Sequence, residues 1–546
     1  MLAIDADDGA ATIFNRGLIT GFVDLTDSPD TFINEKGGVF ETKLISYFGG
    51  GSDLFPNEEG GTVLAATDPN VSESSAFAQL ELFENKGLIT MQDGAEDDVF
   101  QIFNTYGGTD LDFNGSGSST LAVDAFLGPP GSTSDIFIID GNVLGKTEIN
   151  VNNTNRGPGA FNPDGIPVVF VNGNTNGDEF FLAEPIDTGF FIYDLFFEPT
   201  GSGIFELRSL PGGGAHVLPQ LLTAAQDVFH TTNETWFDRT ADLRVLLNGG
   251  AAYGAGGGKL DGAPVAFTPG VWLKGSGTWL EQQDSATSSA FGRTYKFNLN
   301  RDLDVANFEG GIDFGKKGVL AEGDALVFGL LGGVVLGTLD YDQLIRQFDI
   351  EGGEVGAYAT YLKGGLFVDT LVKVDFLEFD PGAAPGFPDT FDATAWGFRA
   401  DTGYRFGGFR RGPFIEPLAT IAVVWSEIDD FSFAGNSVKF DDETNVRGRL
   451  GLRVGTSREV WSGIVMEPFV IGSVWGNLSG DNKATVTSLG TSFQFTDEPD
   501  DVWGVASTGV NFFSPGASTS LFAKLDVTFG DEVEGVSAKG GMRYNW

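Results

Sequence analysis

The feature that most constrains this chain is a two-residue periodicity running through residues 263–546. In "VDTLVKVDF", Val368, Val372, Val374 and Phe376 fall on one side of an extended strand, with Asp369, Lys373 and Asp375 on the other. In "TAWGFRADTGYRF", Trp396, Phe398, Tyr404 and Phe406 oppose Arg399, Asp401 and Arg405. In "NVRGRLGLRVG", Val446, Leu450, Leu452 and Val454 oppose Arg447, Arg449 and Arg453. Side chains alternate across a strand, so each segment has two unlike faces. A soluble sandwich alternates as well. Here the apolar face is nearly free of charge while the polar face carries both signs, which suits lipid outside and a wet or plugged lumen inside.

The connections sharpen this reading. Long segments such as "EQQDSATSSAFGRTYKFNLNRD" and "NLSGDNKATVTSLGTSFQFTDEPDD" alternate with short ones such as "KGG" and "SREVWSG". Transmembrane barrels distribute external loops and periplasmic turns in this way, and the spacing predicts about twelve antiparallel strands. An even count returns the final strand, "GGMRYNW", to the short-turn rim. Met542, Tyr544 and Trp546 then face lipid, with Trp546 in the aromatic belt at the interface.

Upstream lies the one convincing helix, within "PGGGAHVLPQLLTAAQDVFHTTNETWFDRTADLRVLLNGG". Leu218, Leu221, Leu222, Ala225 and Phe229 follow the i, i+3, i+4 pattern, Pro219 sits in the first turn, and Asn248–Gly249 supply a stop. About 30 residues would span roughly 45 Å. Its second half carries Arg239, Asp242 and Arg244, which inside a pore would need partners among the lumen charges Arg399, Asp401, Arg405, Arg447, Arg449 and Arg453.

Residues 1–205 consist of short β-rich bursts bounded by Gly, Asn and Asp, such as "DIFIIDG", "KTEINVNN" and "GIPVVFVNG". An internal repeat, "FNRGLIT" and "FENKGLIT", each followed by an acidic turn and a Phe-containing strand, favours a right-handed parallel β-helix over an irregular sandwich.

Composition narrows the function. The net charge of -44 argues against nucleic-acid binding. There is no cysteine, and histidine occurs only at His216 and His230, so zinc clusters and thiol catalysis drop out. No nucleophile elbow stands in residues 1–205, the Gly-Thr-Ser stretches at 455–457 and 490–492 fall in turns or loops of the barrel region, and no catalytic or metal-ligating set emerges. Asp97–Asp98 and Glu58–Glu59 read as solvated turns rather than paired catalytic carboxylates, and no acidic turn has the spacing of a calcium loop. No cofactor is expected. The start "MLAIDADDGA" lacks the pattern of a signal peptide, and no run of about 18 apolar residues suggests a spanning helix.

The order of β-solenoid, helix, barrel and terminal aromatic resembles the type V autotransporters of Gram-negative bacteria. Residues 1–205 look like a pertactin-like passenger with autochaperone-like last coils, through "GLITMQDGAEDDVFQIFNTYGG", "STLAVDAFLGPPGSTSDIFIIDG" and "FIYDLFF". Residues 206–262 are similar to the family's linker, "FDRTADLR" matching its Arg-x-Gly-Asp-Leu-Arg motif with Ala241 at the glycine, and 263–546 to its barrel. The resemblance implies an outer-membrane barrel in lipid with a passenger at the cell surface. It implies periplasmic chaperones and the barrel-assembly machinery as partners, the latter reading Met542, Tyr544 and Trp546. It implies adhesion or another interaction with a host or surface ligand rather than catalysis. Two alternatives stay open: a translocator whose larger, enzymatic passenger is truncated here, and a porin-like barrel with an N-terminal β domain. Some members cut themselves at an Asn-Asn pair in the pore. Here Asn233 is followed by Glu234, so that cleavage is not expected.

Overall fold

A computed structural model describes residues 1–546 except 106–107, 109, 200, 202, 238–268, 345–346, 383, 385, 409–410, 462–463, 500, 514–518 and 546. The chain divides into two compact units. One comprises Met1–Gly212 with Ser288–Arg293 and Ser488–Thr491; the other comprises the remaining residues.

The first unit is a parallel β-helix. Successive coils place strands one above another, for instance Leu54–Asn57, Leu82–Asn85 and Asp112–Gly115, in parallel register. Two ladders fill it. One is aromatic: Phe32, Phe40, Phe55, Phe77, Phe83, Phe100, Phe113 and Phe137 are all fully buried, and consecutive rings such as Phe32–Phe55 and Phe55–Phe83 lie 5.1 and 5.0 Å apart. The other is polar. Asn15 donates through Nδ2 to Asn34 Oδ1, Asn34 to Asn57 and Asn57 to Asn85, each at 2.8 Å, and Asn85 donates to Ser119 Oγ at 2.7 Å. Each of the first three amides also reaches a backbone carbonyl on the next coil, at 3.0–3.2 Å, so buried groups that would be costly unpaired are satisfied. Glycine follows the ladder asparagines for a steric reason: a Cβ on Gly61 would lie 2.6 Å from Asn57 Oδ1 and 2.7 Å from Asn34 O.

Two features depart from expectation. The coils do not continue to residue 205. Phe191–Glu198 and Gly203–Pro211 form an antiparallel hairpin that joins the sheet through Ile166–Val171. A parallel solenoid leaves an open edge at its last coil, and an antiparallel hairpin closes it. Asp98 is also not a solvated turn residue. It is 1% exposed and accepts a 2.7 Å hydrogen bond from the Glu73 amide, while Asp135 accepts from the Asp98 and Asp124 amides at 3.2 and 2.7 Å. Burial, opposed only in part by these amides and, at Asp53, by the Asp30 amide, pushes the carboxyls of Asp53 and Asp98 up to about 6 and that of Asp135 up to about 8.

The second unit contains a closed antiparallel barrel. Its twelve strands are β1 (Gly270–Gln282), β2 (Arg301–Lys317), β3 (Asp324–Tyr341), β4 (Gln347–Lys363), β5 (Leu366–Asp380), β6 (Phe391–Tyr404), β7 (Gly412–Ile428), β8 (Glu443–Trp461), β9 (Ile464–Ser479), β10 (Val502–Phe513), β11 (Thr519–Phe529) and β12 (Val533–Asn545). β1 pairs with both β2 and β12, which closes the ring and removes every edge. Strands such as β8, with 19 residues, exceed the roughly 9–11 needed to cross a bilayer, so several project beyond it. That projection absorbs residues the sequence pattern assigns to loops: β3 and β4 are joined by 342–346 and β11 and β12 by only 530–532. Outward positions form apolar stripes, with Leu450, Leu452 and Val454 on β8 and Phe308 and Phe314 on β2 all exposed.

Candidate functional site

The site is the barrel lumen and the helix within it. α1 spans Leu218–Phe237, after a single helical turn at Gly213–His216. These twenty residues correspond to about 30 Å, and the remainder of the span expected from sequence lies outside the described residues. The expected apolar face is present: Leu218, Leu221, Leu222, Ala225 and Phe229 are buried, and Phe229 packs with Ala395 and Val424. Gly397 makes room for it, since a Cβ there would stand 2.7 Å from the ring.

A second stripe runs beside the first, and the sequence reading did not single it out. Gln220, Thr223, Gln226, Asp227 and His230 recur at three- and four-residue steps, and all are buried against polar wall residues. Gln220 donates to Asp284 at 2.6 Å, and Thr223 donates to Asp497. Gln226 donates to Ser426 and to Asn482, both at 2.9 Å. Asp227 accepts from Arg447 at 2.6 Å and from Gln282 at 3.0 Å, and His230 Nε2 lies 3.0 Å from Asn445 Oδ1. Near the end of the described stretch, Lys373 donates to Thr232, pairs with Glu354 at 2.6 Å and stands 4.9 Å over the Phe229 ring. No local signal separates this stripe from the polar face of an ordinary amphipathic surface helix. His216 packs between Phe297 and Phe495.

The helix does not fill the lumen. A cavity of about 100 Å³ remains between α1 and the wall, lined in part by Asp227, His230, Arg447, Trp475, Trp503 and Lys539. Such a crevice admits water and small ions but not a folded chain.

The six lumen residues expected from sequence are all buried inside the barrel, but mostly as partners of other wall residues. Arg399 pairs with Asp401 at 2.8 Å, and Arg449 lies 3.6 Å from the same carboxylate, with Thr420 bridging. Arg405 pairs with Glu467 at 2.8 Å and Arg453 approaches it at 3.6 Å; their guanidinium groups lie 3.7 and 3.9 Å over Phe414 and Phe469. Of the six, Arg447 bonds to the helix at Asp227. Ser457, in the Gly-Thr-Ser stretch read as turn or loop, sits at the end of β8 and donates to Glu467 at 2.7 Å. Arg239, Asp242 and Arg244, with the motif "FDRTADLR" beyond Phe237, lie outside the described residues.

On β12, Met542 and Tyr544 face outward and are about half exposed, next to Leu273 and Val271 of β1. Between them Arg543 points inward and pairs with Asp313 at 2.6 Å. Asp313 also accepts from Tyr358 at 3.0 Å, whose Oη accepts from Trp272 Nε1 at 2.8 Å. The final described strand is thus tied to β2 across β1 from within while its outer face stays apolar. Trp546 lies outside the described residues.

These features define a membrane barrel plugged by a helix that directly follows a β-helix in the same chain. Residues 271–526 match the autotransporter β-domain family and residues 80–195 match autochaperone domain type 1. The chain belongs to the autotransporters: its barrel is an outer-membrane domain and its passenger is carried to the cell surface. It is 23% identical over 476 residues to the adhesin BmaC autotransporter of Brucella suis, covering 78% of this chain and 13% of that protein. It is 28% identical over 262 residues to the pertactin autotransporter of Bordetella parapertussis, covering 45% of this chain and 26% of that protein. Among solved structures it is similar to the β domain of the Bordetella autotransporter BrkA, at 22% identity and TM-score 0.38, over 51% of this chain and all of that one. It is also similar to the translocator domain of NalP from Neisseria meningitidis, at 12% identity and TM-score 0.36, over 58% and 98% of the two chains.

Proposed function

We propose that residues 1–205 are a non-enzymatic adhesive module, that 206–262 are the linker left in the pore, and that 263–546 translocate and display the module. The observation that carries this reading is the seat of α1: a segment that follows the β-helix in sequence lies inside a closed barrel, held by the pair of Asp227 with Arg447. A chain that had been drawn through its own pore would come to rest in this way. The names of the two curated relatives, an adhesin and a pertactin, support adhesion as the role of the exported part.

In this reading periplasmic chaperones keep the chain unfolded and the barrel-assembly machinery recognises Met542, Tyr544 and Trp546. The β-helix then folds outside from its C-terminal coils, because each coil needs only its neighbour as a template. The target is a host or other surface ligand. The test is attachment of a non-adherent Gram-negative strain carrying the full chain, compared with the same chain lacking residues 1–205. Attachment to host cells or matrix should depend on residues 1–205. Equal attachment by both strains, with equal amounts of folded barrel, excludes the adhesive role.

A further inference from the structure

The outward face of the barrel is sorted by charge. On β8 the exposed stripe Leu450, Leu452, Val454 continues through Thr456 and ends in the exposed Arg458. On β2 the stripe containing Phe308 and Phe314 ends in Lys316, and on β4 the stripe from Val355 ends in Lys363. These three ends lie on the short-turn rim. At the opposite ends of β2 and β4 the outward positions are acidic, and some face each other directly across strands: Asp302 opposite Asp340 and Glu351 opposite Glu378. Like charges directly opposed across strands cost stability.

One short-turn position has more than charge. Arg411, Arg458, Glu459 and Trp461 line an open groove of about 620 Å³ between the start of β7 and the end of β8. Arg411 pairs with Glu459 at 2.6 Å and its side chain is 78% exposed; Trp461 is 66% exposed. Two guanidinium groups against one carboxylate leave the groove positive in a chain whose net charge is -44.

We propose that this groove binds the phosphate headgroup of an anionic phospholipid in the leaflet that meets the short-turn rim. The apolar stripe of β8 lies along the acyl chains, and Arg458 at its end reaches the headgroup level, where a guanidinium fork matches phosphate oxygens. Arg411, fixed by Glu459, forms the second wall. Trp461 sits at the interface, where its amphipathic ring is favoured. The phospholipid phosphate supplies a counter-charge to Arg458, and a basic pocket at a membrane surface is the recurrent form of such sites.

The experiment uses the full chain, folded in detergent and freed of lipid, then offered equimolar phosphatidylglycerol, phosphatidylcholine and lipid A. Retained lipid is read by native mass spectrometry, and heat-modifiable migration verifies folding of every variant. The wild type should retain phosphatidylglycerol about five-fold over phosphatidylcholine per arginine engaged. R411Q/R458Q should lose the preference, while R458K should keep most of it. Absence of a preference in the wild type, or its survival in the folded double variant, overturns the site. A preference for lipid A over phosphatidylglycerol overturns the assignment to the short-turn leaflet. Loss in K316Q equal to that in the double variant would mean diffuse rim charge instead of a groove, and would also overturn it.

Discussion

Asp227 on α1 and Arg447 on β8 form a 2.6 Å ion pair inside the barrel, with both side chains less than a tenth exposed. The pair joins the plug to the wall at the level where Arg447 also stands 5.3 Å over the Trp503 ring and bonds to Asn477 at 3.1 Å. Arg447 is thus held from α1, β9 and β10 at once. The plug is held by geometry as well as by attraction, which is what makes a buried ion pair hard to break from one side.

Removing one partner leaves the other charge buried and uncompensated, at a cost of about 3–5 kcal/mol. Arg447→Glu sets two carboxylates together and should loosen α1 enough to widen the existing crevice. In planar bilayers the variant should show higher mean conductance and more frequent large openings than the wild type. Conductance unchanged from wild type would mean that Asp227–Arg447 does not hold the plug.

The fit between β3 and β4 gives a second expectation. A Cβ on Gly329 would lie 2.1 Å from the Tyr358 ring, and that ring is pinned by Trp272 and Asp313. Gly329→Ala should therefore slow barrel assembly or lower the temperature at which the folded band is lost on gels. Gly472→Ala, where a Cβ meets nothing within 4 Å, should migrate like wild type. Equal behaviour of the two variants would show that the glycine at 329 is not required by the ring.

The asparagine ladder should be sensitive at its middle rung. Asn57→Ala removes the acceptor of Asn34 and the donor to Asn85, leaving two buried amide groups short of a partner, at about 1–3 kcal/mol each. Hydrogen exchange of the full chain should show lost protection in the neighbouring coils and none in the barrel. Exchange confined to residue 57 would show that the ladder does not couple the coils.

The buried carboxylates set a pH dependence. Asp53, Asp98 and Asp135 have folded values raised to about 6, 6 and 8, above the ordinary carboxylate range. A raised folded value means that the neutral form is favoured on folding. The stabilisation is complete below the ordinary value near 4 and is lost as pH rises through about 6 to 8. The β-helix should therefore unfold at lower denaturant at pH 8 than at pH 5, and Asp135→Asn should flatten that difference. A β-helix equally stable at the two values would contradict the burial of these groups.

The barrel was legible because its two faces differ in kind: Val372 and Phe376 alternate with Lys373 and Asp375 over a long stretch, and no local interaction competes with that pattern. The β-helix was legible through the repeated "GLIT", since Asn15 and Asn85, both on the polar ladder, occupy the same place in their coils. Other features stayed hidden for physical reasons. Asp98 sits in an acidic turn and differs from a solvated aspartate only in what covers it, which no local sequence records. Gln220 and Thr223 look like ordinary helix-surface residues until Asp284 and Asp497, far along the chain, are brought beside them. The antiparallel hairpin at Phe191–Pro211 has the same β-rich composition as a coil, and its direction depends on pairing with Ile166–Val171.

The most direct measurement concerns which side of the membrane the β-helix occupies. Intact cells carrying the full chain are treated with a protease that cannot cross the outer membrane, and fragments are mapped by mass spectrometry. Residues 1–205 should be released or cut on intact cells, while the strands β1–β12 remain as a protected, heat-modifiable core. If residues 1–205 survive on intact cells and are digested only after permeabilisation, the β-helix is periplasmic and the autotransporter account is wrong.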